Sequence, residues 1–131
     1  MSEGAGPPAR TAEPRGRPEL RCERPWGWFE ILSSGPGYLI KRLWLHPGGR
    51  ISLQRHRHRS ELWVVVEGDG LLECRGERLS AFPGSTLSIP TLAIHRASAG
   101  KRGLMILEVQ RGEELSDNDI ERFEDDYGRL G

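Results

Sequence analysis

Short apolar segments separated by turn residues run through this 131-residue chain, and their spacing restricts the fold more than any other feature. Turn signals of Gly, Pro, Asn, Asp and Ser return about every 8–12 residues, and most of the chain lacks a helical period. This pattern is typical of a β-sandwich or a small β-barrel with about eight to ten strands. The length suits one domain with its own hydrophobic core.

The first 20 residues differ in composition from the rest, because they are rich in Gly, Pro, Ala, Arg and Glu and nearly lack large apolar side chains. Burial cannot offset the entropy lost when such a segment is ordered. We therefore predict a disordered tail over residues 1–20 and a single domain over residues 21–131.

Charge and hydropathy exclude several classes of partner. The formal net charge is zero, so the chain as a whole has no attraction to nucleic acid or to anionic membranes. No apolar run approaches the roughly 20 residues that span a bilayer, and the N-terminus lacks the apolar core of a signal peptide. Two cysteines, Cys22 and Cys74, are too few for a disulfide framework. These features predict a cytoplasmic protein without nucleic-acid or membrane partners.

Two predicted strands, Tyr38–His46 and Leu62–Val66, are apolar on both faces. Such strands are covered on both sides. In a small barrel one cover is the interior, and the other is a second sheet or a second subunit. We predict a homodimer, with turns at Gly68–Gly70 and Gly100–Gly103.

The end of the chain has a different pattern. Ser116 is followed by Asp117, Asn118 and Asp119, which is typical of a helix N-cap with acidic residues in the first turn. Ile120 and Phe123 would then share one face. We predict a short C-terminal helix over Ser116–Phe123.

Metal-ligand side chains concentrate around one stretch. Gln54, His56 and His58 share a face in an extended strand. A turn or bulge after His58 would bring Glu61 beside them. Downstream, His95 could add another imidazole. Such a mixed nitrogen and oxygen set suits Mn, Fe, Co, Ni or Zn, whereas the alternative is a basic surface strand with incidental histidines.

Two spaced patterns resemble the cupin motifs. The first is Gly48-x5-Gln54-x-His56-x4-Glu61-x6-Gly68, with Gln in place of the first His of the motif. The second is Gly84-x5-Pro90-x-Leu92-x2-His95, with Leu where the motif has Gly. The Gln exchange is similar to the type II phosphomannose isomerases, which also form the C-terminal domain of bifunctional mannose-1-phosphate guanylyltransferases. R-P-W-G at residues 24–27, K-R at 41–42 and R-F-E-D-D-Y-G-R at 122–129 resemble the same branch, so the similarity covers about residues 23–129.

This resemblance implies an all-β cupin fold, the double-stranded β-helix or jelly-roll barrel. It implies one divalent transition metal held by Gln54, His56, Glu61 and His95. The implied reaction interconverts mannose 6-phosphate and fructose 6-phosphate through an enediol. That reaction needs a base, a cation that stabilises the enediolate and a cationic pocket for the phosphate.

The residues suggest candidates for these roles. His58 is left over on the ligand face, and we predict that it is the base, with bracing of a ligand as the alternative. Lys41, Arg42, Arg59 and Arg96 are the candidates for binding the phosphate of a sugar phosphate substrate. For Lys41 and Arg42, the alternative is a rim position with a solvated head group.

The chain departs from the family pattern at several positions. Leu62 stands where the family has His, and Pro90-Thr91-Leu92 stands where it has P-x-G. The segment from His95 to Lys101 is one residue shorter and lacks an Asn, and the nucleotidyltransferase half has no counterpart. Two hypotheses therefore remain: a metal-dependent sugar-phosphate isomerase, and a non-catalytic metal-containing cupin that binds a sugar or small acid. A dioxygenase fits less well, because that chemistry usually takes a His-rich facial set.

Overall fold

The computed structural model describes Glu13 and residues 18–130. These residues form one turn of 3-10 helix (Pro18–Leu20) and no α-helix. The remaining regular structure consists of β1 (Cys22–Arg24), β2 (Gly27–Gly35), β3 (Tyr38–Leu45), β4 (Leu53–Arg55), β5 (Ser60–Cys74), β6 (Glu77–Ala81), β7 (Thr86–Ile89), β8 (His95–Arg111) and β9 (Glu121–Glu124). The all-β prediction is therefore confirmed. No helix in this described part is long and apolar enough to cross a membrane.

Strands β5 and β8 organise the sheet, and every strand pair is antiparallel. The C-terminal half of β8 pairs with β3 and with the N-terminal half of β5, which also pairs with β7. The N-terminal half of β8 pairs with the C-terminal half of β5, which also pairs with β6. Strand β4 pairs with β9 and meets β8 where Gln54 lies opposite His95. The two long strands therefore join both halves of a curled sheet.

The turns predicted at Gly68–Gly70 and Gly100–Gly103 are wrong, because β5 and β8 continue through both segments. The register shifts between Val65 and Glu67 and again between Gly68 and Gly70. At Gly68, φ is +95°, and an added Cβ would lie 2.0 Å from the carbonyl oxygen of Gly103. Glycine thus allows two bent strands to approach closely at a bulge, where its sequence pattern also fits a hairpin turn.

The interior of the barrel holds the main hydrophobic core. In β5, Trp63 and Val65 are fully buried, while their alternate neighbours Leu62 and Val66 are 39% and 43% exposed. The inner side chains of β5 join a cluster formed by Trp26, Phe29, Leu43, Leu45, Ile51, Leu72, Ile89, Leu104 and Ile106. Among the residues that the structure describes, none covers the outer face of β5 in this way.

A smaller cluster of Trp28, Trp44 and Met105 lies apart from that core. The Trp28 indole N–H donates to Glu13 at 2.9 Å, and the Arg21 guanidinium lies 4.1 Å from the centre of a Trp28 ring. Glu13 and Pro18–Leu20 are thus the placed parts of the predicted tail. The rest of the disorder prediction, residues 1–12 and 14–17, lies outside the described residues.

The predicted helix over Ser116–Phe123 is wrong. The Asp119 N–H donates to the Ser116 carbonyl at 3.1 Å, and the Asn118 N–H donates to Ser116 Oγ at 3.1 Å, which closes a turn. The chain then forms β9 against β4. Ser, Asp and Asn favour turns as strongly as helix N-caps, because their side chains hydrogen-bond nearby backbone groups. In this chain the residues that follow pair with β4, and this pairing favours a turn and a strand over a helix.

Candidate metal centre and its pocket

Three buried side chains converge from separate parts of the barrel. His56 follows β4, Glu61 points inward from β5, and His95 begins β8. One potential ligand atom from each lies within 4.8 Å of the other two. Glu61 is central, since its carboxylate oxygens lie 3.2 Å from His56 Nε2 and 3.7 Å from His95 Nε2.

Both histidines present a lone pair to this cluster. His56 Nδ1 is 2.7 Å from the Asp119 carbonyl oxygen, and His95 Nδ1 is 2.8 Å from the Ala93 carbonyl oxygen. A carbonyl only accepts, so each Nδ1 carries the proton and each Nε2 is the acceptor. Burial, followed by the charge of Arg59, lowers the pKa of His56 to about 4, and burial lowers the pKa of His95. The rings are therefore neutral near pH 7, the form that binds metals.

The donor set fits a divalent transition metal. His95 Nε2 is fully buried and has no hydrogen-bond partner among the described residues. A buried polar atom without a partner is costly, and coordination to a metal would remove that cost. Two imidazole nitrogens and a carboxylate suit Zn, Mn, Fe, Co or Ni without selecting among them.

Gln54 lies beside the cluster, but its amide oxygen faces elsewhere. Gln54 Oε1 accepts a hydrogen bond from Ser52 Oγ at 2.7 Å, while its Nε2 lies 3.4 Å from His56 Nε2. Ligation by the oxygen would require rotation of the amide. The role of Gln54 as a fourth ligand therefore stays a prediction.

His58 does not share the ligand face, so that prediction is wrong. The strand ends at Arg55, and a bend follows, held by the Asp119 carboxylate, which accepts the backbone N–H groups of Arg57 and His58. His58 is consequently exposed, away from the cluster. Arg59 takes the inner position instead and is buried against Glu61.

The four basic residues predicted to bind phosphate do not lie at one site. A pocket lies beside the candidate metal centre, lined in part by Gln54, His56 and Arg59. Lys41 also lines this pocket, 4.1 Å from the centre of the Phe29 ring and 3.2 Å from Asp117 Oδ1. Its neighbour Arg42 points to the opposite face of β3, where it pairs with Glu30. This follows from strand alternation.

Arg96, which was also predicted as a candidate for binding phosphate, is buried and does not line this pocket. Its Nε donates to the Ile51 carbonyl at 3.0 Å, and its Nη1 donates to Glu124 at 3.2 Å. Arg96 thus holds β9 against the barrel. Only Lys41 and Arg59, of the four predicted basic residues, line this pocket.

Three arginines that the sequence analysis did not select also line the pocket: Arg24, Arg122 and Arg129. Arg122 Nε is buried and has no hydrogen-bond partner among the described residues. Burial lowers the pKa of Arg122, and repulsion from Arg129 adds to this shift. These residues belong to the R-P-W-G and R-F-E-D-D-Y-G-R stretches, which carried the family resemblance without suggesting a role.

Glu108 is a further pocket residue that the sequence did not reveal. One carboxylate oxygen accepts the Trp63 indole N–H at 3.0 Å, and the other accepts the Gln110 amide at 2.7 Å. Burial raises the pKa of Glu108, and the charge of Glu61 raises it further. Glu108 belongs to neither cupin motif, so no sequence pattern indicated a functional role.

A small antiparallel barrel that carries two histidines and a glutamate on its inner surface is a cupin. Solved cupin-like structures agree with this class at low sequence identity. KdgF from Halomonas sp. has a TM-score of 0.69 at 18% identity, with 75% of this chain and 88% of that chain covered. An RmlC-like cupin from Shewanella frigidimarina has a TM-score of 0.66 at 18% identity, with 84% of this chain and 99% of that chain covered.

The family model for the mannose-6-phosphate isomerase C-terminal domain matches residues 16–125, and the chain belongs to that family.

Curated relatives are longer proteins. Alginate biosynthesis protein AlgA of Pseudomonas aeruginosa is 40% identical over 121 residues, which cover 90% of this chain and 25% of AlgA. Mannose-1-phosphate guanylyltransferase ManC of Salmonella typhimurium is 39% identical over 108 residues, covering 82% of this chain and 22% of ManC. The chain spans about a quarter of the length of these relatives.

Proposed function

We propose that this cupin is a metal-dependent isomerase that interconverts mannose 6-phosphate and fructose 6-phosphate. One observation carries the proposal: two neutral imidazoles and a carboxylate converge beside a pocket that arginines also line. A phosphorylated sugar offers oxygen atoms to a metal and a dianion to the arginines. Membership of the mannose-6-phosphate isomerase C-terminal family supports this substrate class.

His56, Glu61 and His95 would hold the metal, with Gln54 as a further candidate ligand. When bound, a divalent ion would supply Lewis acidity that stabilises negative charge on the enediolate oxygens. In the reaction, the proton on C2 of the open-chain aldose moves to C1, and the hydroxyl proton on O2 moves to O1. These two proton transfers leave a ketone at C2 and a primary alcohol at C1.

Glu108 replaces His58 as the proposed proton carrier. Its carboxylate lines the same pocket as His56, whereas His58 is exposed on the outside. A buried carboxyl group is suited to accept a proton from C2 and to return it to C1. The hydrogen bonds from Trp63 and Gln110 fix its orientation.

Arg122 and Arg24 are the proposed phosphate-binding residues. Lys41 and Arg59 already pair with the carboxylates of Asp117 and Glu61. Arg129 is likewise paired, with the carboxylate of Asp125. Arg122 Nε is a buried donor with no hydrogen-bond acceptor among the described residues. A phosphate oxygen would satisfy that donor and offset the repulsion between neighbouring guanidinium groups.

A second candidate function is non-catalytic binding of a sugar or small acid. The observation that favours it is that each oxygen of Glu108 already accepts a buried hydrogen bond. Such hydrogen bonds stabilise the charged carboxylate and so weaken it as a base. Turnover separates the two functions, since a binding cupin would hold the sugar phosphate unchanged.

A coupled assay for fructose 6-phosphate tests the proposal. We expect chelator-stripped protein to be inactive on mannose 6-phosphate and to regain activity with one of Mn, Fe, Co, Ni or Zn. His95→Ala should abolish both metal binding and recovery. His46→Ala is the matched control, because His46 is exposed and bonded to loop carbonyls away from the cluster. Metal binding without turnover in the parent would favour the binding function.

A further inference from the structure

The Arg59 guanidinium lies directly against the proposed metal ligands. Its Nε donates to Glu61 Oε2 at 2.8 Å, and its Nη2 is 3.3 Å from His56 Nε2. Its Nη1 donates to the Ser116 carbonyl at 3.2 Å. Arg59 is only 7% exposed, so these contacts are shielded from water. A buried cation therefore contacts ligand atoms of two of the three clustered residues.

The contact with His56 has a strict consequence. Because His56 Nδ1 carries the proton that it donates to the Asp119 carbonyl, Nε2 holds the single lone pair of the ring plane. That lone pair can accept a hydrogen bond, from Arg59 or from the Gln54 amide 3.4 Å away, or it can bind a metal ion. It cannot do both.

Glu61 adds an electrostatic conflict. The carboxylate oxygen that lies near His56 is the one that accepts the Arg59 Nε–H. A divalent ion placed between Glu61 and the histidines would stand beside a guanidinium of the same sign. Since the site is buried, this repulsion is weakly screened.

We infer that Arg59 is a built-in competitor of the metal ion, which occupies the lone pair of His56 until an ion displaces it. The inference rests on the proposed metal site and adds an internal limit to its affinity. Metal binding requires Arg59 Nη2 to leave His56, while the bond from Nη1 to Ser116 involves no proposed ligand. Arg59 then keeps its charge inside the pocket that it lines.

Metal titration of Arg59→Met tests the competition without any assay of turnover. Methionine keeps an unbranched side chain but removes all donors and the charge. We expect Co²⁺ and Zn²⁺, measured in competition with a chromophoric chelator, to bind about tenfold more tightly or better, because a charge-assisted hydrogen bond no longer has to break. Arg59→Lys should lie between the parent and Arg59→Met, since lysine keeps the charge without the paired donors.

Arg57→Met is the matched control. Its side chain is 58% exposed and pairs with Glu121, so the substitution makes the same change in net charge outside the cluster. Its metal affinity should stay within about twofold of the parent. Equal gains in Arg57→Met and Arg59→Met would overturn the inference, because a general charge effect would then explain both.

The remaining outcomes separate the inference from the proposed metal site. If the parent binds metal, His95→Ala does not, and Arg59→Met binds no more tightly than the parent, the competition is refuted while the site stands. If neither the parent nor Arg59→Met binds any ion, both fail.

Crystal structures of the parent with and without Co²⁺ give an independent test of the competition. Arg59 Nη2 should move beyond hydrogen-bond distance of His56 Nε2 when Co²⁺ is bound, and an unchanged contact would overturn the inference.

Discussion

Arg122 has positively charged neighbours, Arg24 and Arg129, and a buried Nε without a hydrogen-bond partner among the described residues. If it binds the substrate phosphate, Arg122→Met should lower kcat/KM for mannose 6-phosphate. We expect a loss of roughly 2–4 kcal/mol in transition-state binding, or about 30- to 1,000-fold, by analogy with truncated buried charge pairs. Metal content should not change. Steady-state kinetics and metal analysis measure the two effects.

Arg78→Met is the control for this substitution, because its side chain is 72% exposed on β6. It should leave kcat/KM unchanged. An Arg122→Met protein with the kinetics of the parent would place the phosphate elsewhere in the pocket, with Arg24 as the next residue to test.

Arg59, and not the predicted His58, lies on the inner side of the barrel. This difference shows what strand alternation could and could not predict. Period-two alternation correctly brought Gln54 and His56 to the inner side. The bend at residues 57–58 then reversed the parity, and the carboxylate that holds it belongs to Asp119, some sixty positions downstream. No local pattern in the sequence contains that contact.

The structure shows where two departures from the family pattern lie, Leu62 and Leu92. Leu62, where the family has His, lies on the outer face of β5, so this change leaves the ligand cluster intact. Leu92, where the motif has Gly, has φ of +72°, in the left-handed region. Such a conformation suits glycine better than leucine, which explains the type of residue in the motif.

At the scale of elements, the C-terminal segment shows why strands were easier to predict than their ends. Part of β5 was visible from the sequence as the apolar run Leu62–Val66. The glycine clusters within β5 and β8 are compatible with bulges as well as with turns. The sequence therefore did not reveal the full lengths of these two strands. Strand β9 is short and has no buried residue, and it is held by its pairing with β4 and by the contact between Glu124 and Arg96.

Asp125 gives this C-terminal segment a pH-dependent stability. Hydrogen bonds from the Arg129 guanidinium hold the pKa of Asp125 at about 2, whereas the unfolded value is about 3.9. A depressed folded-state pKa stabilises the fold above the unfolded value, and this stabilisation is lost as pH falls through the folded value. Asp125→Asn should therefore lower the free energy of unfolding by roughly 1–2 kcal/mol at pH 7.

Chemical denaturation of Asp125→Asn and of the parent at pH 7, 5, 4 and 3 measures this effect. The difference in free energy should be constant between pH 7 and 5 and should shrink at pH 3. Glu113→Gln, which changes an exposed carboxylate, should show little difference at any of these pH values. A difference for Asp125→Asn that does not vary with pH would mean that its charge is not the cause.

At the scale of the whole molecule, the outer face of β5 and β8 bears on assembly. Leu62 and Val66 are well exposed, and Val64, Leu107 and Val109 on the paired strands are only partly buried. We propose that a second copy of the chain covers this patch. A stable homodimer interface of this apolar kind buries on the order of 2,000 Å² or more.

Light scattering at micromolar concentration should give the mass of a dimer for the parent and of a monomer for Leu62→Glu. Leu71→Glu is the matched control, because Leu71 is also 39% exposed but lies in the half of β5 that pairs with β6. It should remain a dimer. A monomeric parent would refute the assembly without bearing on the proposed metal centre, whose three candidate ligand residues all come from one chain.

Conversion of mannose 6-phosphate in D₂O, followed by ¹H NMR with metal-loaded protein, tests the central claim most directly. An enediol route predicts that fructose 6-phosphate appears and that deuterium enters at its C1, because the proton taken from C2 passes through an exchangeable carboxyl group. Glu108→Gln should bind the same metal but should slow this conversion by at least about a hundredfold. A parent protein that binds metal and mannose 6-phosphate, yet forms no fructose 6-phosphate, would contradict the isomerase function.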